Sequence, residues 1–154
     1  MAGSLTGRGW SYCNLIWPYS MLGALSAIVL SPRINLFLLG EEVGKNLGLS
    51  IEISRLMIII TASVLAGSAV SVAGTIGFIG LVSPHIARMI IGNDNRYLVI
   101  LSGILGGLLL VMSDTLARTL FQPLEIPVGI ITATLGAPFF FFLLYKKRAN
   151  LLVS

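Results

Sequence analysis

Charge is what this chain has least of. Its 154 residues include only six acidic and ten basic side chains, 10% in all, where an ordinary soluble domain carries about 25%. A folded protein this short has a large surface relative to its volume, and so few charges cannot cover it in water. Lipid is therefore expected to be the solvent for much of that surface. The 56% hydrophobic content and mean hydropathy of +0.96 agree.

Other scarcities exclude whole classes of chemistry. Cys13 is the single cysteine, so there is no disulfide framework and no cysteine cluster for a metal. His85 is the single histidine, and no Cys, Asp or Glu stands at ligand spacing beside it. Neither HExxH nor a G-x-S-x-G elbow occurs, and there is no GxxxxGK[ST] phosphate loop. No catalysis and no bound cofactor are expected of this chain. The net charge of +4 comes from scattered residues rather than a basic stripe interleaved with aromatics, which gives nucleic-acid binding no support. Residues 1–14 are Gly/Ser-rich and lack a basic n-region leading into an apolar core. They read as an inter-helix loop that begins the chain.

What the chain does have is apolar runs. A bilayer core about 30 Å thick needs roughly 20 residues of helix, and segments 15–30, 56–73, 97–115 and 128–145 qualify. Between the second and third lies 74–92, apolar but interrupted by Gly74, Gly77, Gly80 and Pro84. Its last part, Leu81–Ile91, is predicted as a short helix with Pro84 near its first turn. The distribution of basic residues decides whether this segment crosses. Without it, Arg8, Arg88, Arg96, Lys146, Lys147 and Arg148 oppose Arg33, Lys45, Arg55 and Arg118. With it, only Arg8 and Arg118 oppose the other eight. The stronger asymmetry predicts an all-α membrane bundle of about five crossings, N-terminus outside and C-terminus cytoplasmic. An interrupted crossing is either a feature of a transport pathway or a glycine-lined helix contact.

The first cytoplasmic stretch, 31–55, opens at Pro32 and contains GEEVGKNLG at 40–48. An acidic pair suits a helix start, and Gly48 suits the residue just past a helix end. A short amphipathic helix projecting from the membrane fits a groove on a soluble partner, although a bland solvated loop has the same local pattern.

GEEVGKNLG resembles the coupling segment of FecCD-type permeases, the membrane subunits of ABC importers for iron–siderophore complexes, haem and vitamin B12. Further blocks agree in order: GSLTGRGW at 3–10, GTIGFIGLVSPHIAR at 74–88, GNDNR at 92–96, SDTLAR at 113–118 and EIPVGIITATLGAPFFFFLL at 125–144. The resemblance covers essentially all of residues 1–154, as one transmembrane domain, and matches only the C-terminal half of such permeases. It implies that Glu41, Glu42, Gly44, Leu47 and Gly48 seat on an ATPase subunit that holds the ATP. Where this chain has Gly44 the family usually has alanine, which implies a less stable helix there. It further implies that Arg118 docks a periplasmic or lipid-anchored substrate-binding protein. The other reading of Arg118 is a snorkelling side chain paired with Asp114 four residues earlier.

Gly77, Phe78, Gly80, Pro84 and His85 are the expected pathway or gate residues, with His85 ordering the broken crossing near Pro84 by hydrogen bonding. The run 139–142, four phenylalanines, reads as a lipid-facing or packing wall. Asn93 to Arg96 reads as a polar turn capping the next helix. The expected assembly adds a second permease subunit and membrane lipid, in the bacterial cytoplasmic (inner) membrane. The alternatives are a truncated or split permease without transport of its own, and an ion-driven secondary transporter.

Overall fold

The computed structural model describes residues 3, 9–46, 48, 50–120 and 127–151. Among the described residues six helices follow in order: α1 (Trp10–Leu38), α2 (Glu41–Asn46), α3 (Ile51–Ala73), α4 (Ile79–Ile91), α5 (Asn95–Leu120) and α6 (Val128–Leu151). Among the described residues α1, α3 and α5 are long and apolar enough to cross a membrane, while α4 and the apolar stretch of α6 are shorter. The fold is an all-α membrane bundle.

Two ties at opposite ends show how often the chain traverses it. At one end the Gly3 N–H donates to the Thr75 carbonyl at 3.0 Å, and the Gly129 N–H donates to the Gly3 carbonyl at 3.1 Å. This joins the segment before α1, the link after α3 and the start of α6. At the other end, the Asn35 amide late in α1 donates to Asp94, in the turn between α4 and α5, at 2.7 Å. The link before α4 is therefore at one end and the turn after it at the other, so α4 traverses the bundle. Five helices alternate in direction, α2 being the exception.

Thirteen residues of α4 span only about 20 Å at 1.5 Å per residue. The irregular residues 74–78 before it add up to about 16 Å. Together they match the roughly 35 Å of the 23-residue α3. The helix begins at Ile79 rather than Leu81 because the Phe78 carbonyl accepts both the Leu81 and Val82 N–H groups, at 3.0 and 2.9 Å. Pro84 consequently lies in the second turn of α4, not near its first.

Segment 31–55 is likewise not a loop from Pro32 onward. α1 runs through Pro32 to Leu38, α2 occupies its middle, and α3 has begun by Ile51. Pro32 has no N–H for the Ile28 carbonyl four residues back. The hydroxyl of Ser31 donates to that carbonyl instead, at 2.7 Å, so the helix continues.

In lipid, helix association relies on close packing because tails are as apolar as leucine. Many buried positions are accordingly small or polar: Ser31, Ser54, Ser83, Ala87, Ser113, Ala117 and Thr132 are each under 5% exposed, beside the larger apolar Leu30, Ile51, Leu98 and Val128. Large apolar side chains such as Trp17, Val29 and Phe141 face outward at 66–75% exposure. Glycine notches set the approach. A Cβ at Gly23 would lie 2.6 Å from Leu65 of α3. One at Gly136 would run into Phe78, whereas one at Gly103 meets nothing within 4 Å. Gly136→Ala is expected to cost about 1–3 kcal/mol through overpacking, a fall of roughly 3–10 °C in Tm for a chain of this size. Gly103→Ala should melt at or above the wild-type temperature. Thermal melts in detergent check both, and equal melting of the two variants would remove the notch.

Candidate functional site

The polar features of the bundle collect at its two ends, with one irregular crossing between them. At the Asn35 end, Gly40 (φ +103°) breaks the chain direction after α1, and Gly48 (φ +81°) does so after α2. A side chain is strained at such angles, so both glycines permit the short helix to stand off the bundle. The Gly44 N–H donates to the Gly40 carbonyl at 3.1 Å, closing a turn that opens on Glu41 and Glu42. Glu42 is exposed and Gly44 buried, while Glu41 lies on the first turn and Leu47 falls outside the described residues. Beside the acids stand Leu38, Leu39 and Val43, 68%, 62% and 45% exposed. These apolar neighbours fall in the stretch 31–55 expected to be cytoplasmic, where the acidic pair and the glycines carry the sequence signal and single leucines and a valine do not.

At the opposite end, α5 finishes near Arg118. Its Nε donates to Asp114 Oδ2 at 2.8 Å across one helical turn. The pair engages one edge of the guanidinium, and the side chain remains 55% exposed, leaving a planar fork suited to a second carboxylate. Internal pairing and an outward-facing charge thus coexist.

The irregular crossing holds the strained residue. Phe78 has φ +66°, rare for a bulky side chain and costing about 1–3 kcal/mol. Its side chain fits the notch at Gly136 of α6 and borders a cavity of about 280 Å³ lined also by Ile79, Val82, Leu109, Ser113 and Phe139. His85 packs its ring edge-on against Phe139, centroids 6.0 Å apart at 76°. Phe139 is therefore a packing residue, while Phe140 and Phe141 are exposed. Phe78 and His85 meet the same face of α6; Gly77 and Gly80 are exposed with nothing within 4 Å of their Cβ positions. Pro84 is half-buried and lines no part of this cavity.

The polar turn after α4 does more than cap. Asp94 accepts the Arg96 N–H at 3.0 Å as the N-cap of α5, and it also accepts the Asn35 amide at 2.7 Å. The Asn35 bond, then the Arg96 amide, hold its carboxyl below the ordinary 3.8. A depressed carboxylate contributes fully above its ordinary value and loses that contribution only as pH falls through the lower one. Asn35 had no signal beyond being one amide in an apolar run.

Comparison with known proteins is consistent in one direction. A model of the FecCD transport family matches residues 1–146. The uncharacterized ABC transporter permease YvrB of Bacillus subtilis is 46% identical over 96% of this chain and 42% of its own length. The Fe(3+)-citrate import system permease YfmE of the same organism is 43% identical over 94% of this chain and 43% of its own. An ABC transporter assigned to the metal-chelate type, solved in an inward-facing conformation, superposes with a TM-score of 0.89 at 32% identity, covering 94% of this chain and 48% of that one. The chain thus spans less than half the length of the proteins it resembles.

Phe78 provides a test of the strained crossing. Phe78→Gly loses the ring but frees φ, while Phe78→Ala loses the ring and keeps the strain. The expected order is unusual: Phe78→Gly more stable than Phe78→Ala by about 1 kcal/mol, or roughly 2–4 °C in Tm. Melting of Phe78→Ala at or above Phe78→Gly would contradict the strain.

Proposed function

Because the chain belongs to the FecCD transport family, we propose that it acts in the permease of a binding-protein-dependent ABC importer for iron chelates, iron–siderophore complexes first among them. It is a multi-pass protein of the bacterial cytoplasmic membrane in this reading, and a second permease subunit completes the pathway. The chain itself carries no catalysis; a separate ATPase subunit binds and hydrolyses ATP.

The observation that carries the reading is the separation of two surfaces by the length of the bundle. The acidic helix α2, ringed by Leu38, Leu39 and Val43, is at one end, and exposed Arg118 is at the other. An importer must receive cargo at one face and be driven from the opposite one. A short helix with exposed apolar and acidic groups fits a groove on a soluble partner, which we assign to the ATPase. Arg118, with Asp114 holding its Nε edge, suits a carboxylate on the substrate-binding protein. Basic residues Arg33, Arg55, Arg88 and Arg96 lie at or toward the α2 end, which the positive-inside rule makes cytoplasmic. The N-terminus is then outside and the C-terminus inside. Closure of the ATPase dimer would displace α2 and tilt the helices attached to it, opening the pathway alternately to each side.

Two charge reversals separate the two surfaces. Glu42→Lys is expected to weaken ATPase copurification from detergent about tenfold and to leave binding-protein affinity unchanged. Arg118→Glu should do the opposite, weakening the binding protein about tenfold with the ATPase retained. Wild-type ATPase binding in both variants, or loss of both partners in either one, would refute the assignment.

A further inference from the structure

Side-chain hydrogen bonds along this bundle stay mostly within one helix. Ser20, Ser26, Ser102 and Thr115 each donate to a carbonyl four residues back, as hydroxyls in lipid commonly do. The Asn35 cluster differs, because it joins positions 59 and 60 residues apart in sequence. Both ends of the Asn35 amide are engaged. Its Oδ1 accepts the Asn95 backbone N–H at 2.9 Å and the Asn95 Nδ2 at 2.8 Å, while its Nδ2 donates to Asp94 Oδ1 at 2.7 Å. Asn95 is only 7% exposed, so water competes little for its two bonds to Asn35, while the bond to Asp94 lies at the exposed edge of the cluster. Using donor and acceptor together fixes the amide orientation and the register of α1 against the turn.

The cluster sits where two parts of the molecule meet. Asn35 lies on the last turn of α1, from which α2 continues after Gly40. Asp94 and Asn95 form the start of α5 and the end of its hairpin with α4. That hairpin supplies Phe78, Ile79 and Val82 from one side of the cavity, and Leu109 and Ser113 from the other.

We propose that Asn35, Asp94 and Asn95 are positioning residues, a clamp through which displacement of α2 and the end of α1 is carried into the α4–α5 hairpin. The proposal rests on α2 being the ATPase-contacting element and adds the route by which its motion reaches the pathway. Without the clamp, α2 and the end of α1 shift while α4 and α5 stay behind, so ATP is hydrolysed with little transport.

The test uses the assembled transporter, with ATPase and binding protein, in proteoliposomes, measuring chelate uptake and ATP hydrolysis together. Asn35→Asp sets two carboxylates at hydrogen-bond distance. Uptake per ATP should fall at least fivefold, with ATPase copurification unchanged. Adding Asp94→Asn to it should restore the ratio to within twofold. Asp94 Oδ1 accepts from both Asn35 and the Arg96 N–H, so the new amide at position 94 turns about its side chain to give its oxygen to the Arg96 N–H and its NH2 to the new carboxylate at position 35. Asn35→Ala, which removes the bonds without repulsion, serves if the charged variant folds poorly, and should uncouple likewise. An unchanged ratio in Asn35→Ala, or failure of the swap to restore it while melting and ATPase binding are wild-type, overturns the clamp. Failure of Glu42→Lys to disturb ATPase binding would instead overturn the coupling reading beneath it.

Discussion

Lipid offers no hydrogen bonds, so every irregular stretch of backbone in a membrane bundle must be satisfied by the protein itself or by water it encloses. That constraint organises this chain. Where helices end, the freed groups are taken by other segments: Gly3 answers Thr75 and Gly129 at one end, and Asn35 answers Asn95 at the other. The same logic operates inside helices. Ser31 takes the carbonyl that Pro32 leaves empty, and α1 emerges from the membrane as one rigid piece. Because α1 stays helical to Leu38, α2 is attached to a lever rather than to a slack loop.

The small-residue packing follows from the same solvent. With no hydrophobic drive to bring helices together, the contacts depend on glycine and serine letting backbones approach. Gly136 receives Phe78 in this way, and the notch holds a residue whose backbone is itself strained. The short crossing α4 is therefore supported from α6 and tied to α1, and it borders the cavity. Strain confined to such a place is commonly part of a moving element.

Much of the architecture was legible in the sequence, for reasons that are local. Apolar runs mark the long helices, and the uneven distribution of arginines and lysines demands an odd number of crossings. The broken crossing was legible from Gly74, Gly77, Gly80 and Pro84. Its start lies two residues before the position that proline's preference for a first turn indicates, because the Phe78 carbonyl accepts the Leu81 and Val82 N–H groups. The sequence pattern opens the cytoplasmic stretch at Pro32, since nothing linear reveals that Ser31 takes the carbonyl that proline leaves empty. The residue pairs that matter most, Phe78 with Gly136 and Asn35 with Asp94, join distant positions. Phe78 and Asp94 stand out locally, in the broken crossing and the capping turn, but nothing local marks their partners Gly136 and Asn35. The candidate residues divide in the same way. Glu42 and Arg118 stand exposed at opposite ends, His85 packs on Phe139, and Gly77 and Gly80 do not join the Phe78 cavity.

Passage of α4 across the membrane is what places Asp94 beside Asn35 and puts α2 and Arg118 at opposite ends of the bundle. Labelling with a membrane-impermeant maleimide measures it directly. Cys13 is replaced by serine, and single cysteines are introduced by Gly9→Cys, Glu42→Cys and Asn93→Cys. In right-side-out vesicles only the Gly9→Cys protein should label, and in inside-out vesicles only the Glu42→Cys and Asn93→Cys proteins. Labelling of the Asn93→Cys protein from the same side as Gly9→Cys would show that α4 turns back without crossing, and would contradict the account.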